Sequence, residues 1–134
     1  MAQAARCCDD PRTGTLVVLS RGASGHYWVG SCTSCAGALI EHYSYDDWDT
    51  GAPETYDMYW WWRMDAPDAA ALREAVKGCP APLDPGCGCR VHEGLRKTKP
   101  RPLPPPTGAP NAPAEIPRVG FAVTDARPHW TELY

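Results

Sequence analysis

Seven cysteines and one nearby histidine constrain this chain of 134 residues more than any other feature. Eight such ligands suffice for two tetrahedral zinc ions with none left over. A small chain with a limited apolar core often depends on bound metal for its stability. We therefore predict zinc, as one or two structural ions, to be the cofactor. The expected ligands are Cys7, Cys8, Cys32, Cys35, Cys79, Cys87, Cys89 and His92.

The second half of this set is complete within a short stretch, Cys79-x7-Cys87-x-Cys89-x2-His92. The intervening residues are rich in proline and glycine, which is typical of a compact, irregular loop around an ion. Four protein ligands leave no open position, so the ion would be structural and not catalytic. An iron–sulfur cluster is less favoured, because one of the ligands is histidine.

The first half contains a zinc-knuckle spacing, Cys32-x2-Cys35, between two strand-like segments. A hairpin, a knuckle and a returning strand over residues 7–45 resemble a zinc ribbon. The resemblance implies a zinc ion held by the knuckle and by a partner pair of ligands. The chain departs from the ribbon pattern at Ala36, where ribbons usually have glycine, and at the adjacent pair Cys7-Cys8, where they have a second knuckle.

Adjacent side chains in an extended segment point in opposite directions, so Cys7 and Cys8 reach one ion only if the backbone bends sharply. A second arrangement combines one of the two with His26 or His42. A redox role for Cys32-x2-Cys35 is a further alternative, but it requires a helix directly after the motif. The residues after Cys35 predict a strand.

The rest of the chain predicts a small α+β domain. Apolar and aromatic runs indicate an antiparallel sheet of three to four strands. One helix is expected from Asp65, as the N-cap, to about Lys77. We divide the chain into a zinc-stabilised domain (1–97), a proline-rich arm without sheet or helix (98–117) and a C-terminal segment that docks back as edge strands (118–134). The expected strands are residues 16–19, 26–31, 38–45 and 56–64.

Composition argues against several classes of function. The formal net charge of −3 gives no global attraction for nucleic acid. No apolar run is long enough to span a membrane, and residues 1–10 lack a secretory h-region, so we expect a cytoplasmic protein with reduced thiols. The sequence contains no nucleophile elbow and no phosphate-binding loop, so we expect no enzymatic activity. The abundance of Ala, Pro, Arg and Trp is typical of a high-GC bacterial genome.

Residues 41–68 combine eight acidic residues with many Tyr and Trp side chains. Aromatic anchors dominate binding hot spots, and charge selects the partner. We therefore expect a binding module for a basic protein, of the inhibitor or immunity type. The expected contact residues are Asp46, Asp47, Trp48, Asp49, Glu54, Tyr56 and Asp57.

Two other functions remain open at this point. The basic run over residues 90–101 allows a nucleic-acid-binding zinc ribbon. The thiols allow a small redox or metal-handling protein, which would need an exposed, low-pKa thiol at Cys32.

Overall fold

The structure is a computed structural model that describes residues 6–46, 56–100, 107–108 and 116–132. Within these residues the chain is a mixed α+β protein, which confirms the predicted fold class. The elements are β1 (Thr13–Gly22), β2 (Gly25–Cys32), β3 (Ala38–Asp46), β4 (Tyr56–Met64), α1 (Ala66–Val76), α2 (Arg90–Lys97), β5 (Thr107–Gly108), β6 (Val119–Thr124) and β7 (Arg127–Glu132).

The main sheet is antiparallel and has the strand order β1-β2-β3-β4-β5. Strands β1 and β2 extend beyond the predicted limits, because their polar ends also pair, and only two residues separate Gly22 from Gly25. Gly25 has a φ of 154°, and a Cβ atom there would lie 2.2 Å from the carbonyl oxygen of Tyr43. Glycine is therefore required where the hairpin returns beside β3.

One face of the sheet forms the core. Val17, Val29, Ile40 and Trp62 are aligned across four neighbouring strands, and none is more than 1% exposed. Such a row forms because side chains of a strand point to opposite faces in turn, so that every second residue of β3 and β4 faces the core. Helices α1 and α2 and the β6–β7 hairpin complete the core with Leu72, Leu95, Val119, Phe121 and Trp130.

Helix α1 begins as predicted, but its N-cap works differently. Asp65 occupies the N-cap position without forming a side-chain capping bond, and its carboxylate pairs with the Arg118 guanidinium at 2.9 Å. Asp68 in the first turn accepts a hydrogen bond from the backbone N–H of Phe121 at 3.2 Å. The two acidic residues therefore attach the start of α1 to the beginning of β6.

The expectation of a single helix is wrong, because α2 follows the second cysteine group. Val91, His92 and Leu95 are the buried residues of this eight-residue helix. The Cys89 side chain caps it by accepting from the backbone N–H of His92. A helix this short, with Gly94 inside it, has little intrinsic helical preference. Packing and the Cys89 cap therefore determine its formation.

The C-terminal strands also differ from expectation. Strands β6 and β7 pair with each other in a separate two-stranded sheet, and do not join the main sheet as edge strands. Among the residues that the structure describes, an isolated parallel bridge joins Arg63 of β4 to Arg118, just before β6. The prediction that residues 98–117 contain no sheet is wrong at Thr107 and Gly108, which pair with Tyr59 and Met58.

Candidate metal centres

The first cluster consists of Cys7, Cys8, Cys32 and Cys35. Cys32 ends β2 and Cys35 lies in the turn before β3, while the backbone bends over residues 7–10. The turn is held by a hydrogen bond from the N–H of Cys32 to the carbonyl of Gly37. Ala36 adopts a φ of 62°, a left-handed conformation that explains why zinc ribbons usually have glycine at this position.

The sulfur atoms of this cluster have the spacing of a tetrahedral site. The Sγ atom of Cys8 lies 3.9 Å from those of Cys7 and Cys32, and the Sγ atoms of Cys7 and Cys35 are 3.7 Å apart. A tetrahedron with metal–sulfur bonds of about 2.3 Å has edges of about 3.8 Å. All four thiols are free. The cluster can therefore hold a zinc ion.

Neither histidine considered for the first cluster belongs to it. His26 lies 2.6 Å from a carboxylate oxygen of Glu41 and stacks on Trp28. His42 stacks on the Trp60 ring, with 5.0 Å between the ring centroids. The bend at residues 7–10 removes the need for either histidine, because it directs both adjacent cysteines to the same point.

The second cluster consists of Cys79, Cys87, Cys89 and His92. Cys79 follows the end of α1, Cys89 caps α2, and His92 lies one turn into that helix. Around Cys79, the Sγ atoms of Cys89 and Cys87 lie at 3.2 and 3.7 Å. The Nδ1 atom of His92 lies 3.4 Å from the Cys79 sulfur and 3.1 Å from the Cys89 sulfur. This set can also hold a zinc ion.

The orientation of His92 is fixed by the strand opposite. Its Nε2 atom donates a hydrogen bond of 3.0 Å to the carbonyl oxygen of Val18 in β1. With the proton on Nε2, the Nδ1 lone pair is free to bind metal. The spacing of the sequence predicts His92 as a ligand, but it does not reveal this contact across 74 residues.

The two clusters differ in access to solvent. Cys79 and Cys87 are 8% and 9% exposed, and His92 is fully buried in the core beneath β1. In the first cluster Cys35 is exposed and both Cys7 and Cys8 are partly exposed, while Cys32 is buried. The second cluster is thus part of the interior, and the first lies at its periphery.

Each cluster contains one thiol that ionises readily. Hydrogen bonds from the backbone of Cys35, and then of Arg12, lower the pKa of Cys32 to about 6. Burial raises the pKa of Cys89, but the hydrogen bond from the backbone N–H of His92, together with the other contacts of the cluster, outweighs burial and brings it to about 6. Burial raises the pKa of Cys79 to about 12. Cys32 and Cys89 are therefore the thiols whose thiolate forms the protein environment favours.

Arg96 supports the second cluster, a role that the sequence does not suggest. Its guanidinium donates hydrogen bonds to the carbonyl oxygens of His92, Pro85 and Cys87. Arg96 was expected only as a member of the basic run. The sequence offers one hint of this role: Arg96 follows His92 by four residues, so the two lie one turn apart on the same face of a helix.

The sheet surface opposite the core carries a second group of interest, the outer aromatic face. Two rows cross strands β2, β3 and β4, so that Glu41 lies between two tryptophans in one row. Its carboxylate accepts hydrogen bonds from His26 and from the Trp61 indole, the latter at 2.9 Å. Ring contacts connect the other members. The face comprises His26, Trp28, Glu41, Tyr43, Tyr59 and Trp61.

The predicted partner-binding residues adjoin this face only in part. Asp46 and Tyr56 pair as the last residue of β3 and the first of β4, and Asp57 pairs with Tyr45. Asp47, Trp48, Asp49 and Glu54 lie outside the described residues.

The described residues contain no helix long and apolar enough to cross a membrane. No protein family matches the sequence, and comparisons with curated proteins and with solved structures find no similar protein.

Proposed function

We propose that this protein is a non-enzymatic, protein-binding module that is stabilised by two zinc ions. The grouping of both clusters supports structural zinc, since the four ligand atoms of each lie within 4.8 Å of one another, close enough to share one ion. A catalytic zinc keeps one position open for water or substrate. Each of these clusters offers four protein ligands, so a bound ion has no such position.

The outer aromatic face is the observation that carries the binding proposal. It places the Glu41 carboxylate among partly exposed tryptophan, tyrosine and histidine rings on one side of the sheet, while the buried Trp61 holds that carboxylate in place. Rings of this kind provide contact area at low entropic cost, and they attract cations through their π-faces. Arg21 already lies over the Trp28 ring, 5.9 Å from its centroid. The face is thus suited to arginine and lysine side chains.

The acidic residues beside this face favour a basic partner. Residues 47–55 join β3 to β4 and include Asp47, Asp49 and Glu54. Asp46 ends β3 and Asp57 lies near the start of β4, so the sequence around this connection is acidic. A surface of this kind fits an inhibitor or immunity-type protein that covers the basic active site of an enzyme.

Site-specific photo-crosslinking in the source cells tests the proposal. A photoreactive aromatic residue placed at position 28 should capture a basic protein, which mass spectrometry would identify. The same residue at Leu83, which is 56% exposed in the loop of the second cluster, serves as the matched control. The proposal that this face binds a specific partner would be contradicted if both positions captured the same set of proteins. It would also be contradicted if neither position captured any protein.

Charge reversal gives an independent test. The triple change Asp46→Lys, Asp47→Lys and Asp49→Lys should abolish capture of the partner and leave two zinc ions per chain in native mass spectrometry. Undiminished capture by the reversed variant would remove the acidic segment from the interface.

The nucleic-acid alternative is weakened by Arg96, whose guanidinium is occupied by three backbone carbonyls. Arg90 and Lys97 remain exposed on α2. If this helix bound DNA or RNA, affinity would fall steeply as salt is raised. The redox-enzyme alternative lacks the helix after Cys35, since β3 follows there.

A further inference from the structure

The first cluster is accessible to solvent, and it contains an even number of thiols. Three of its four cysteines are at least partly exposed, whereas the second cluster is largely buried and has three thiols and a histidine. Oxidants reach exposed thiolates first. Four thiols can form two disulfides and leave none over, while three thiols always leave one unpaired.

The contacts within the first cluster define which disulfides fit. The Sγ pairs Cys7–Cys35 and Cys8–Cys32 are 3.7 and 3.9 Å apart. The adjacent pair Cys7–Cys8 is disfavoured, because consecutive Cα atoms are about 3.8 Å apart and disulfides need about 4.4–6.8 Å. Both favoured pairs join residues 7–8 to the knuckle, as the metal would.

We propose that the first cluster is an oxidation-labile zinc site, which exchanges its ion for the disulfides Cys7–Cys35 and Cys8–Cys32. This inference rests on the zinc binding proposed above. The oxidant is a small disulfide such as oxidised glutathione. Two such molecules accept four electrons from four zinc-bound thiolates. Two protein disulfides form, two glutathione disulfides break, and four glutathione thiolates and one zinc ion leave.

The fold tolerates this exchange because the first cluster lies outside the core. None of its four cysteines belongs to the main hydrophobic cluster, although Cys32 is itself buried. A backbone hydrogen bond of 3.1 Å from Thr33 to Arg12 also holds the N-terminal segment against the knuckle. The second cluster, by contrast, joins α1, α2 and β1. Oxidation therefore replaces the zinc–thiolate group at the surface with disulfides and leaves the second cluster in the interior intact.

The test uses the full chain loaded with two zinc ions, as counted by native mass spectrometry. Oxidised glutathione is added, zinc release is followed with a colorimetric chelator, and disulfides are mapped by peptide mass spectrometry. We expect one ion to leave at least about tenfold faster than the other, in line with thiol exposure. The mapped pairs should be Cys7–Cys35 and Cys8–Cys32. Reduction with added zinc should restore the two-ion form.

Loss of both ions at equal rates, or earlier loss of the buried ion, would overturn the proposal. So would glutathione adducts, a Cys7–Cys8 disulfide or a Cys32–Cys35 disulfide in place of the expected pairs. A chain that never loads two ions overturns this proposal and the structural-zinc proposal together. Two ions lost at one rate overturn this proposal alone.

The double variant Cys7→Ser, Cys35→Ser assigns the fast step. It should bind one zinc ion and release none in the fast phase. Differential alkylation of the wild-type protein during oxidation gives the same assignment without any variant, since it reports the order in which each cysteine is oxidised. Persistence of the fast phase in the double variant would place it at the second cluster.

Discussion

The Nε2 atom of His92 donates a hydrogen bond to the carbonyl oxygen of Val18, 3.0 Å away and 74 residues earlier in the chain. Through this bond, a ligand of the second cluster is tied to the first strand of the sheet. The backbone N–H of Val18 bonds in turn to the carbonyl of Pro82, at 2.8 Å, in the loop between Cys79 and Cys87. The second cluster and β1 therefore depend on each other.

Loss of the second cluster should destabilise the whole domain. His92→Ala removes a ligand and the bond to Val18, so we expect the unfolding free energy to fall by more than about 4 kcal/mol, because binding energy at small metal sites is folding energy. Cys35→Ser, at the peripheral cluster, should lose one ion and still melt cooperatively. Thermal denaturation with zinc counts checks both. Equal destabilisation would contradict the difference in burial.

Arg96→Met should weaken zinc binding at the second cluster. Loss of the guanidinium frees the carbonyls of Pro85 and Cys87, and changes in residues that support a metal site typically reduce affinity by about 10–100-fold. Lys97→Met, on the next position of the same helix, is the matched control and should have no effect. Competition with a chelator of known affinity measures both, and equal values for the two variants would exclude a supporting role for Arg96.

The knuckle should be improved by glycine at the ribbon position. Ala36 has a φ of 62°, so Ala36→Gly relieves strain and should stabilise the protein by about 0.5–1 kcal/mol. Gly37→Ala should have the opposite effect, because its Cβ would lie 2.6 Å from the carbonyl oxygen of Met64 and 3.2 Å from the Cys35 sulfur. Chemical denaturation of both variants tests the pair, and a destabilising Ala36→Gly would refute the argument from strain.

Gly94 sets the distance between α2 and the C-terminal hairpin. A Cβ atom there would lie 2.1 Å from the carbonyl oxygen of Pro128, so Gly94→Ala must separate the helix from β7. We expect a loss of about 2 kcal/mol or more, as is typical of overpacking, with faster amide exchange in β6 and β7. Gly14→Ala, where no atom lies within 4 Å, is the control and should change stability little.

His42 should titrate below the ordinary histidine value. Burial, and then the positive charges of His26 and Lys99, lower its pKa from 6.5. The unfolded chain then binds the proton more readily than the folded one, so this group lowers stability as pH falls below about 6.5 and has no effect above it. An NMR titration of the His42 ring measures the pKa, and His42→Phe should reduce the dependence on pH. A measured His42 pKa above 6.5 would mean that protonation of this group stabilises the folded protein, contrary to the prediction.

The local patterns of the sequence predict much of this architecture. Alternation groups Ile40 with Ala38 on one face of Ala38–Asp46 and Trp62 with Met64 on one face of Tyr56–Met64, because a strand has only two faces. The structure shows that these are the faces buried in the core. The spacing of the cysteines likewise separates the eight candidate ligands into the two groups that the structure brings together. The number of strand residues around the first turn is underestimated, since Ser20 and Arg21 pair without becoming buried.

The features that sequence reasoning misses depend on tertiary contacts. Helix α2 is too short for a clear periodicity and is stabilised by Cys89, Arg96 and packing against Trp130, whose indole donates to the Leu95 carbonyl. The joint use of Cys7 and Cys8 depends on the backbone bend at residues 7–10, which the local sequence does not predict. Strands β6 and β7 pair with each other and not with the main sheet, and no local pattern in the sequence distinguishes these two arrangements.

The double attachment of Val18 has a consequence for the metal-free chain. Strand β1 is at the end of the sheet, and at this residue both backbone hydrogen-bonding groups are occupied by the loop and ligand of the second cluster. If the second cluster comes apart, these groups become exposed on an edge strand, to which the edge of another copy can add. The loop and histidine of the second cluster therefore cover a strand edge that would otherwise be open to self-association.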